Sequence, residues 1–150
     1  MQVNSEIAEQ SAFLGVSPQF TVPDVVAAAS YYCDVLGFEN RGFFGKPPVF
    51  AMLGRGNVEF FFNQSPAATI PARPRAAVGY DAYIHVTELT RLVDELTRRG
   101  AKIVAGPVDR VYGIRELVVE DCHGLRLAFG EDPGRAAQHA DAADRPSAGR

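Results

Sequence analysis

The apolar and polar residues of the chain follow one order of patterns twice. In the first half, residues 17–22 alternate as in a half-buried strand, and Asp24 is the expected N-cap of the helix that follows. The helical pattern continues to about Leu36, and Gly37 ends it. Three β-rich segments come next, at residues 38–44, 49–53 and 58–63.

The second half repeats this order. Residues 81–86 alternate as a strand, and Thr87 or Glu88 begins a helix that Gly100 ends. One apolar stripe runs along this helix, at Leu89, Leu92, Val93 and Leu96. Three strands are then expected at residues 101–105, 115–119 and 125–129. The repetition predicts an α+β chain made of two βαβββ modules.

The remaining segments lack such patterns. Residues 64–79 contain Pro66, Pro71 and Pro74, which is typical of an extended linker between two modules. The last residues are rich in Ala, Asp, Arg, Gly and Pro and almost devoid of large apolar side chains. We expect one domain at residues 14–131, with modules at 14–63 and 80–131, a flexible N-terminal segment at 1–13 and a disordered tail at 132–150.

Composition narrows the classes of partner. The chain has 150 residues, 47% of them hydrophobic, so it can bury one sizeable core. Its formal charge of −3 comes from interspersed acids and bases, which argues against a nucleic-acid partner. No apolar run approaches membrane-spanning length, and the N-terminus has no leader pattern, so a cytoplasmic location is expected. The two cysteines, Cys33 and Cys122, are predicted to be free thiols.

Two sequence motifs resemble a known superfamily. Residues 24–38, DVVAAASYYCDVLGF, combine an Asp cap, a Ser, an aromatic pair and a closing Leu-Gly-Phe. A second motif, made of Gly106-Pro107 and residues 112–116 and 121–131, is similar to the hairpin that ends the fold in the same group of proteins. Both motifs resemble the vicinal oxygen chelate superfamily, which includes glyoxalases and bleomycin-resistance proteins. The resemblance implies curved mixed sheets with the helices outside, a concave cleft and a homodimer. One departure lies at residues 121–125, DCHGL, where relatives carry Asp-Pro-x-Gly-Asn.

Strand alternation predicts which residues line this cleft. Side chains of successive strand residues point to opposite faces, so the apolar set marks the core face and the intervening set marks the other. The core set is expected to be Phe20, Val22, Val58, Phe60, Phe62, Ala82, Ile84, Val86, Leu125, Leu127 and Phe129. The opposite set is Ser17, Gln19, Thr21, Glu59, Phe61, Asn63, Asp81, Tyr83, His85, Arg126 and Ala128.

The resemblance also shows which residues stand at the superfamily's metal-ligand positions. Metal-dependent members place one ligand on each of four strands, and the aligned positions here are Ser17, Glu59, Asp81 and Ala128. Only Glu59 suits a divalent transition metal. We therefore expect no metal and no cofactor. A displaced metal site formed by Glu59, Asp81 and His85 remains an alternative.

The leading hypothesis is a metal-free binding protein that sequesters an antibiotic or another aromatic, partly cationic small molecule. The predicted ligand-binding residues are Gln19, Thr21, Glu59, Phe61, Asn63, Asp81, Tyr83, His85, Tyr112 and Arg126. The alternative is an enzyme of this superfamily, a lyase, isomerase or dioxygenase-like protein, that uses Glu59, Asp81 or His85 for acid–base chemistry or an atypical metal site. If Glu59 and Asp81 lie close together in a dry cleft, one of the two carboxyls would have a raised pKa, as acid and base roles require. A regulatory protein with a vestigial cleft is a third possibility. The sequence leaves open whether the cleft lies within one chain or between two.

Overall fold

A computed structural model of the chain describes residues 10–73 and 79–146. The first module forms one four-stranded sheet, sheet 1, with strand order β1-β4-β3-β2. β1 is parallel to β4, and the other neighbours are antiparallel. The elements are β1 (Gln19–Val22), α1 (Val25–Asp34), β2 (Glu39–Phe44), β3 (Phe50–Arg55) and β4 (Val58–Gln64).

The second module repeats this topology in sheet 2, with strand order β5-β8-β7-β6. Its parallel pair is β5 and β8. The elements are β5 (Ala82–His85), α2 (Leu89–Arg98), β6 (Lys102–Asp109), β7 (Arg115–Glu120) and β8 (Arg126–Glu131). The predicted α+β fold with two βαβββ modules is therefore confirmed.

The two module helices begin in different ways. The Asp24 side chain accepts hydrogen bonds from the backbone N–H groups of Val26 and Ala27, as expected for an N-cap. At α2 the N-cap residue is Glu88, but its side chain makes no capping bond. The carboxylate of Glu131, at the end of β8, instead accepts from the N–H groups of Glu88 and Leu89. The start of α2 therefore depends on the last strand of its own sheet.

The helix-covered sides of both sheets contribute to one hydrophobic core. Buried members from the first module include Val22, Tyr32 and Phe62, and those from the second include Leu96 and Leu127. The predicted core set is buried or packed against this core throughout. Since successive strand residues alternate, the opposite faces of the two sheets look away from the shared core.

Side chains of the two modules bind one another along the seam. The Tyr32 hydroxyl donates a hydrogen bond of 2.8 Å to the Asp121 carboxylate, and both side chains are buried. Asp121 also accepts from the N–H groups of His123 and Leu125 in its own turn. Elsewhere along the seam, the Arg55 guanidinium binds Glu95 through two hydrogen bonds of 2.8 and 2.9 Å.

The segment after β8 differs from the predicted disordered tail. Residues Pro133–Ala143 form a third helix, α3. Asp132 caps it by accepting from the Gly134 N–H, and Pro133 occupies its first turn. Alanine has a high intrinsic helix propensity, and the prediction from the composition of residues 132–150 gave this propensity too little weight. No residue of α3 is buried, so little packing holds this helix to the body.

The other unpatterned segments have no regular secondary structure where the structure describes them. Residues 10–18 form no helix or strand, and neither do residues 65–73 of the linker. Residues 1–9, 74–78 and 147–150 lie outside the described part. Within the described ranges, no helix combines the length and the apolar character needed to cross a membrane. Cys33 and Cys122 are free thiols, as predicted.

Replacing Tyr32 by Phe removes the buried hydroxyl that joins α1 to the second module. Asp121 then loses one of its three donors without regaining water, so we expect a loss of about 1–3 kcal/mol in unfolding free energy. Urea denaturation measures it. Tyr31→Phe is the matched control, because the Tyr31 hydroxyl donates only to the half-buried Glu120 carbonyl at 3.2 Å. Equal losses in both variants would contradict the special role of the Tyr32 bond.

The same residue predicts an alkaline limit to stability. Burial, together with the neighbouring Asp121 carboxylate, raises the pKa of Tyr32 well above the usual 10.0. The folded state thus keeps a proton that the unfolded state loses, and unfolding free energy should fall as pH rises above about 10. Tyr32→Phe should show a shallower decline when unfolding is measured by urea at several alkaline pH values. Parallel declines for the two proteins would refute this assignment.

Candidate functional site

The outward face of sheet 1 carries an aromatic strip, which we call the sheet-1 face. Two rungs of residues cross its four strands. One rung runs Gln19, Phe61, Met52, Gly42, and the other runs Thr21, Asn63, Phe50, Phe44. The Phe50 and Phe61 rings lie 5.5 Å apart, and 72% of Phe44 is exposed. Amide and hydroxyl side chains thus border an open apolar and aromatic surface.

Glu59 lies one rung further along this face. Its carboxylate accepts a hydrogen bond of 3.2 Å from the Ser17 hydroxyl and pairs with the Arg41 guanidinium at 3.3 Å. Arg41 crosses directly above Gly54, where a Cβ atom would lie 2.2 Å from the guanidinium carbon. The absence of a side chain at Gly54 therefore allows Arg41 to reach Glu59.

The outward face of sheet 2, the sheet-2 face, is organised around a buried carboxylate. Only 3% of Glu116 is exposed. It accepts hydrogen bonds from the Tyr83 hydroxyl at 3.0 Å, the Tyr112 hydroxyl at 2.7 Å and the Arg110 Nε at 2.9 Å. Tyr83 lies over Gly130, which leaves the space for its ring. A side chain from β5 that reaches across β8 and two side chains from the loop before β7 therefore converge on this carboxylate.

These contacts shift the pKa values of the cluster. Burial by itself would raise the pKa of the Glu116 carboxyl, but the hydrogen bonds from Tyr112, Arg110 and Tyr83 bring it below its usual value. Burial and the hydrogen bond to Glu116 raise the pKa of Tyr83 to about 12. At neutral pH the cluster consists of a carboxylate that accepts from two phenols and a guanidinium.

Sequence reasoning missed Glu116 and Arg110 as site residues. The signal for Glu116 was available, because the alternation in β7 places Leu117 and Val119 in the core and Glu116 on the opposite face. Arg110 lies outside regular strand geometry, in the loop between β6 and β7, and no pattern in the sequence marks its partner.

Arg126 lies on the predicted face, but it is almost completely buried, with only 2% of the residue exposed. Its guanidinium donates to the Glu120 carboxylate at 3.2 Å and to the Arg73 carbonyl at 3.0 Å. Next to it, Val104, Val118 and Ala128 form a small apolar cluster with Tyr83. This part of the face is therefore more apolar and more covered than alternation alone suggests.

Asp81 stands at the start of β5 and does not meet Glu59. Its carboxylate pairs with the Arg73 guanidinium and accepts a hydrogen bond of 2.7 Å from the backbone N–H of Arg126. The carboxylate pair considered for acid–base chemistry therefore does not form within one chain. His85 lies further along β5, exposed, with its ring 5.1 Å from that of Tyr83.

The residues present do not fit the superfamily's metal site. Ser17 and Glu59 are adjacent, but Arg41 already pairs with the carboxylate. Asp81 belongs to the other sheet, and Ala128 offers no donor atom. In the described residues, no three His, Cys, Asp or Glu side chains lie close enough together to hold a metal ion.

The predicted ligand-binding residues thus form two groups, one on the outward face of each sheet. Gln19, Thr21, Glu59, Phe61 and Asn63 share the sheet-1 face. Tyr83, His85 and Tyr112 belong to the sheet-2 face and its loop. A cavity of about 780 Å³ lies elsewhere, at the seam beside α2 and α3, and His85 also borders it.

Comparisons with known proteins agree with this architecture. The bleomycin-binding protein from Streptomyces verticillus, complexed with copper(II)-bleomycin, is 27% identical with a TM-score of 0.60, covering 80% of this chain and 97% of that one. A second bleomycin-binding protein, complexed with bleomycin, is 16% identical with a TM-score of 0.63, over 80% and 99%. A putative glyoxalase family protein from Bacillus anthracis is 19% identical with a TM-score of 0.59, over 82% and 98%.

A search of the curated proteins found no match. The model of the glyoxalase/bleomycin resistance protein/dioxygenase superfamily matches residues 16–129, about three quarters of the chain. Duplicated modules, sheet order and sequence motifs all lead to the same assignment. The chain belongs to the glyoxalase/bleomycin resistance protein/dioxygenase superfamily.

Proposed function

We propose that this protein binds and sequesters a flat aromatic, partly cationic small molecule without a metal and without transforming it. The observation that carries the proposal is the uncovered aromatic strip of Phe44, Phe50 and Phe61 on the sheet-1 face, bordered by Gln19 and Asn63. Large apolar side chains exposed together on a sheet mark a binding surface. An antibiotic of the bleomycin kind is the first candidate, since two structural neighbours carry that name.

The ligand would be enclosed by two copies of the chain. A sheet-1 face by itself is open, and the sheet-2 face of the same chain lies on the other side of the shared core. A homodimer can place the sheet-2 face of one copy opposite the sheet-1 face of the other. Exposed apolar residues support such pairing, because Phe43 and Phe44 protrude from β2, and Val111 and Tyr112 from the loop after β6.

The recognition chemistry follows from the two faces. Phe61 and Phe50 offer ring surfaces for stacking, and Tyr83 and Tyr112 offer rings from the opposite wall. Rings of this type also attract a cation placed over them. Gln19, Thr21 and Asn63 would orient polar groups of the ligand, and Glu59 adds negative charge at the edge.

Binding accounts for this geometry better than acid–base catalysis. A carboxylate that acts as general base must be free to accept the substrate's proton. Glu59 pairs with Arg41, Asp81 with Arg73 and Glu116 with Arg110. The cytoplasmic location and a role in antibiotic resistance stay predictions.

Phe61→Ala should weaken binding of bleomycin and of copper(II)-bleomycin by roughly tenfold or more, because one stacking surface is lost. Folding should be nearly intact. The matched control is Phe62→Ala, whose fully buried ring lies on the opposite face, and which should cost about 3–5 kcal/mol in unfolding free energy. Isothermal titration and urea denaturation separate the two effects. Unchanged affinity in a folded Phe61→Ala protein would refute the sheet-1 face as the site.

Mixing two variants tests whether the cleft spans two chains. Phe61→Ala and Tyr83→Ala each impair a site that combines the two faces. In a mixed dimer, one cleft then carries both substitutions and the other carries neither, so unfolding and refolding an equimolar mixture should restore full-affinity binding in about half of the dimers. A cleft within one chain predicts no restored site at all. Sedimentation of each variant first establishes that both dimerise.

A further inference from the structure

The cavity at the seam lies apart from the aromatic strip of the sheet-1 face and adjoins the sheet-2 face at His85. Its volume of about 780 Å³ falls within the range of small-molecule pockets, roughly 300–1,000 Å³. Side chains from both modules and from α3 surround it. The apolar floor consists of Leu36, Phe38, Val58, Ile84, Leu92 and Phe129. Four of these are almost fully buried and belong to the core, whereas Val58 and Leu92 are half-exposed and offer apolar surface to a guest.

The acidic groups around this cavity are already engaged. Glu95 binds Arg55 through two hydrogen bonds, and Glu88 pairs with Arg91 at 3.3 Å. The Asp132 carboxylate accepts from the Gly134 N–H at 2.9 Å as the cap of α3. Glu95 and Glu88 are thus each paired with an arginine, and Asp132 is held as the cap of α3.

Besides the neutral Asn57 and Thr87, the polar groups left at the rim are basic. Arg135, His139 and His85 line the cavity, and none of them has a hydrogen bond or an ion pair within the described residues. All three are exposed. A guanidinium and two imidazoles above an apolar floor complement a molecule with an apolar body and one anionic head group.

We propose that the seam cavity is a second small-molecule site, which binds an apolar carboxylate with its hydrocarbon on Val58 and Leu92 and its carboxylate at Arg135 and His139. Of the residues proposed for the sheet faces, the seam site shares His85. Its outer wall is α3, which buries no residue of its own. An occupant in contact with Ala136 therefore also holds α3 against the body.

The probes are octanoate, octanamide and octylammonium, which share one hydrocarbon chain and differ in the charge of the head group. Isothermal titration should show octanoate binding to one site per chain, octanamide more weakly and octylammonium weakest. Hydrogen exchange of the α3 amides should slow when octanoate is bound. Equal affinity for all three probes, or no saturable octanoate binding, would overturn the proposal.

Substitutions on the exposed helix α3 can locate the site without changing the packing of the hydrophobic core. Ala136→Trp places an indole in the cavity and should abolish octanoate binding, whereas Ala137→Trp, the neighbouring exposed position that does not line it, should leave binding unchanged. Arg135→Glu should weaken octanoate by about fivefold or more. Retained octanoate binding in Ala136→Trp would sink the proposal.

The proposed function of the sheet faces is tested separately in the same proteins. Phe61→Ala should leave octanoate affinity as in the unsubstituted protein, and Ala136→Trp should leave bleomycin affinity unchanged. Loss of octanoate binding in Phe61→Ala would assign the carboxylate to the sheet-1 face and refute the seam site. Failure of bleomycin binding alone concerns only the sheet faces.

Discussion

The single hydrophobic core shared by both modules is the constraint on which the other features depend. The helix-covered sides of the two sheets have no separate cores, because Tyr32 and Phe62 from one module and Leu96 and Leu127 from the other belong to the same buried cluster. This arrangement fixes which side of each sheet is covered. The uncovered sides then face outward in opposite senses, and any enclosed cleft between them needs a second copy of the chain.

The two ends of the seam show how duplicated modules diverge. Counted from the first helical residue, Tyr31 in α1 and Glu95 in α2 occupy equivalent positions, as do Tyr32 and Leu96. In α1 the two phenols fill the seam and reach Glu120 and Asp121. In α2 the carboxylate of Glu95 binds Arg55 instead, and the aliphatic Leu96 replaces a ring. The cavity lies at this end, with Glu95 in its lining.

Much of the fold could be predicted because it depends on local rules. Alternation identified the core faces, the Asp24 cap and Gly37 bounded α1, and the repeated order of elements indicated two modules. The site was less predictable. Arg41, Arg73 and Arg110 reach their carboxylate partners from other strands or loops, and the space for Arg41 and Tyr83 exists only because Gly54 and Gly130 lack side chains. Such pairings depend on tertiary contacts that periodicity does not encode.

The pairing of carboxylates with arginines decides what the outward faces can do. Each face contains an acidic residue, Glu59 on sheet 1 and Glu116 on sheet 2, and in each case a guanidinium of the same module already binds it. A carboxylate held in this way keeps its charge and position but is a poor proton acceptor for a substrate. The groups left to meet a ligand are rings, amides and hydroxyls, which recognise shape and polarity. The chemistry of both faces therefore favours binding a small molecule over transforming it.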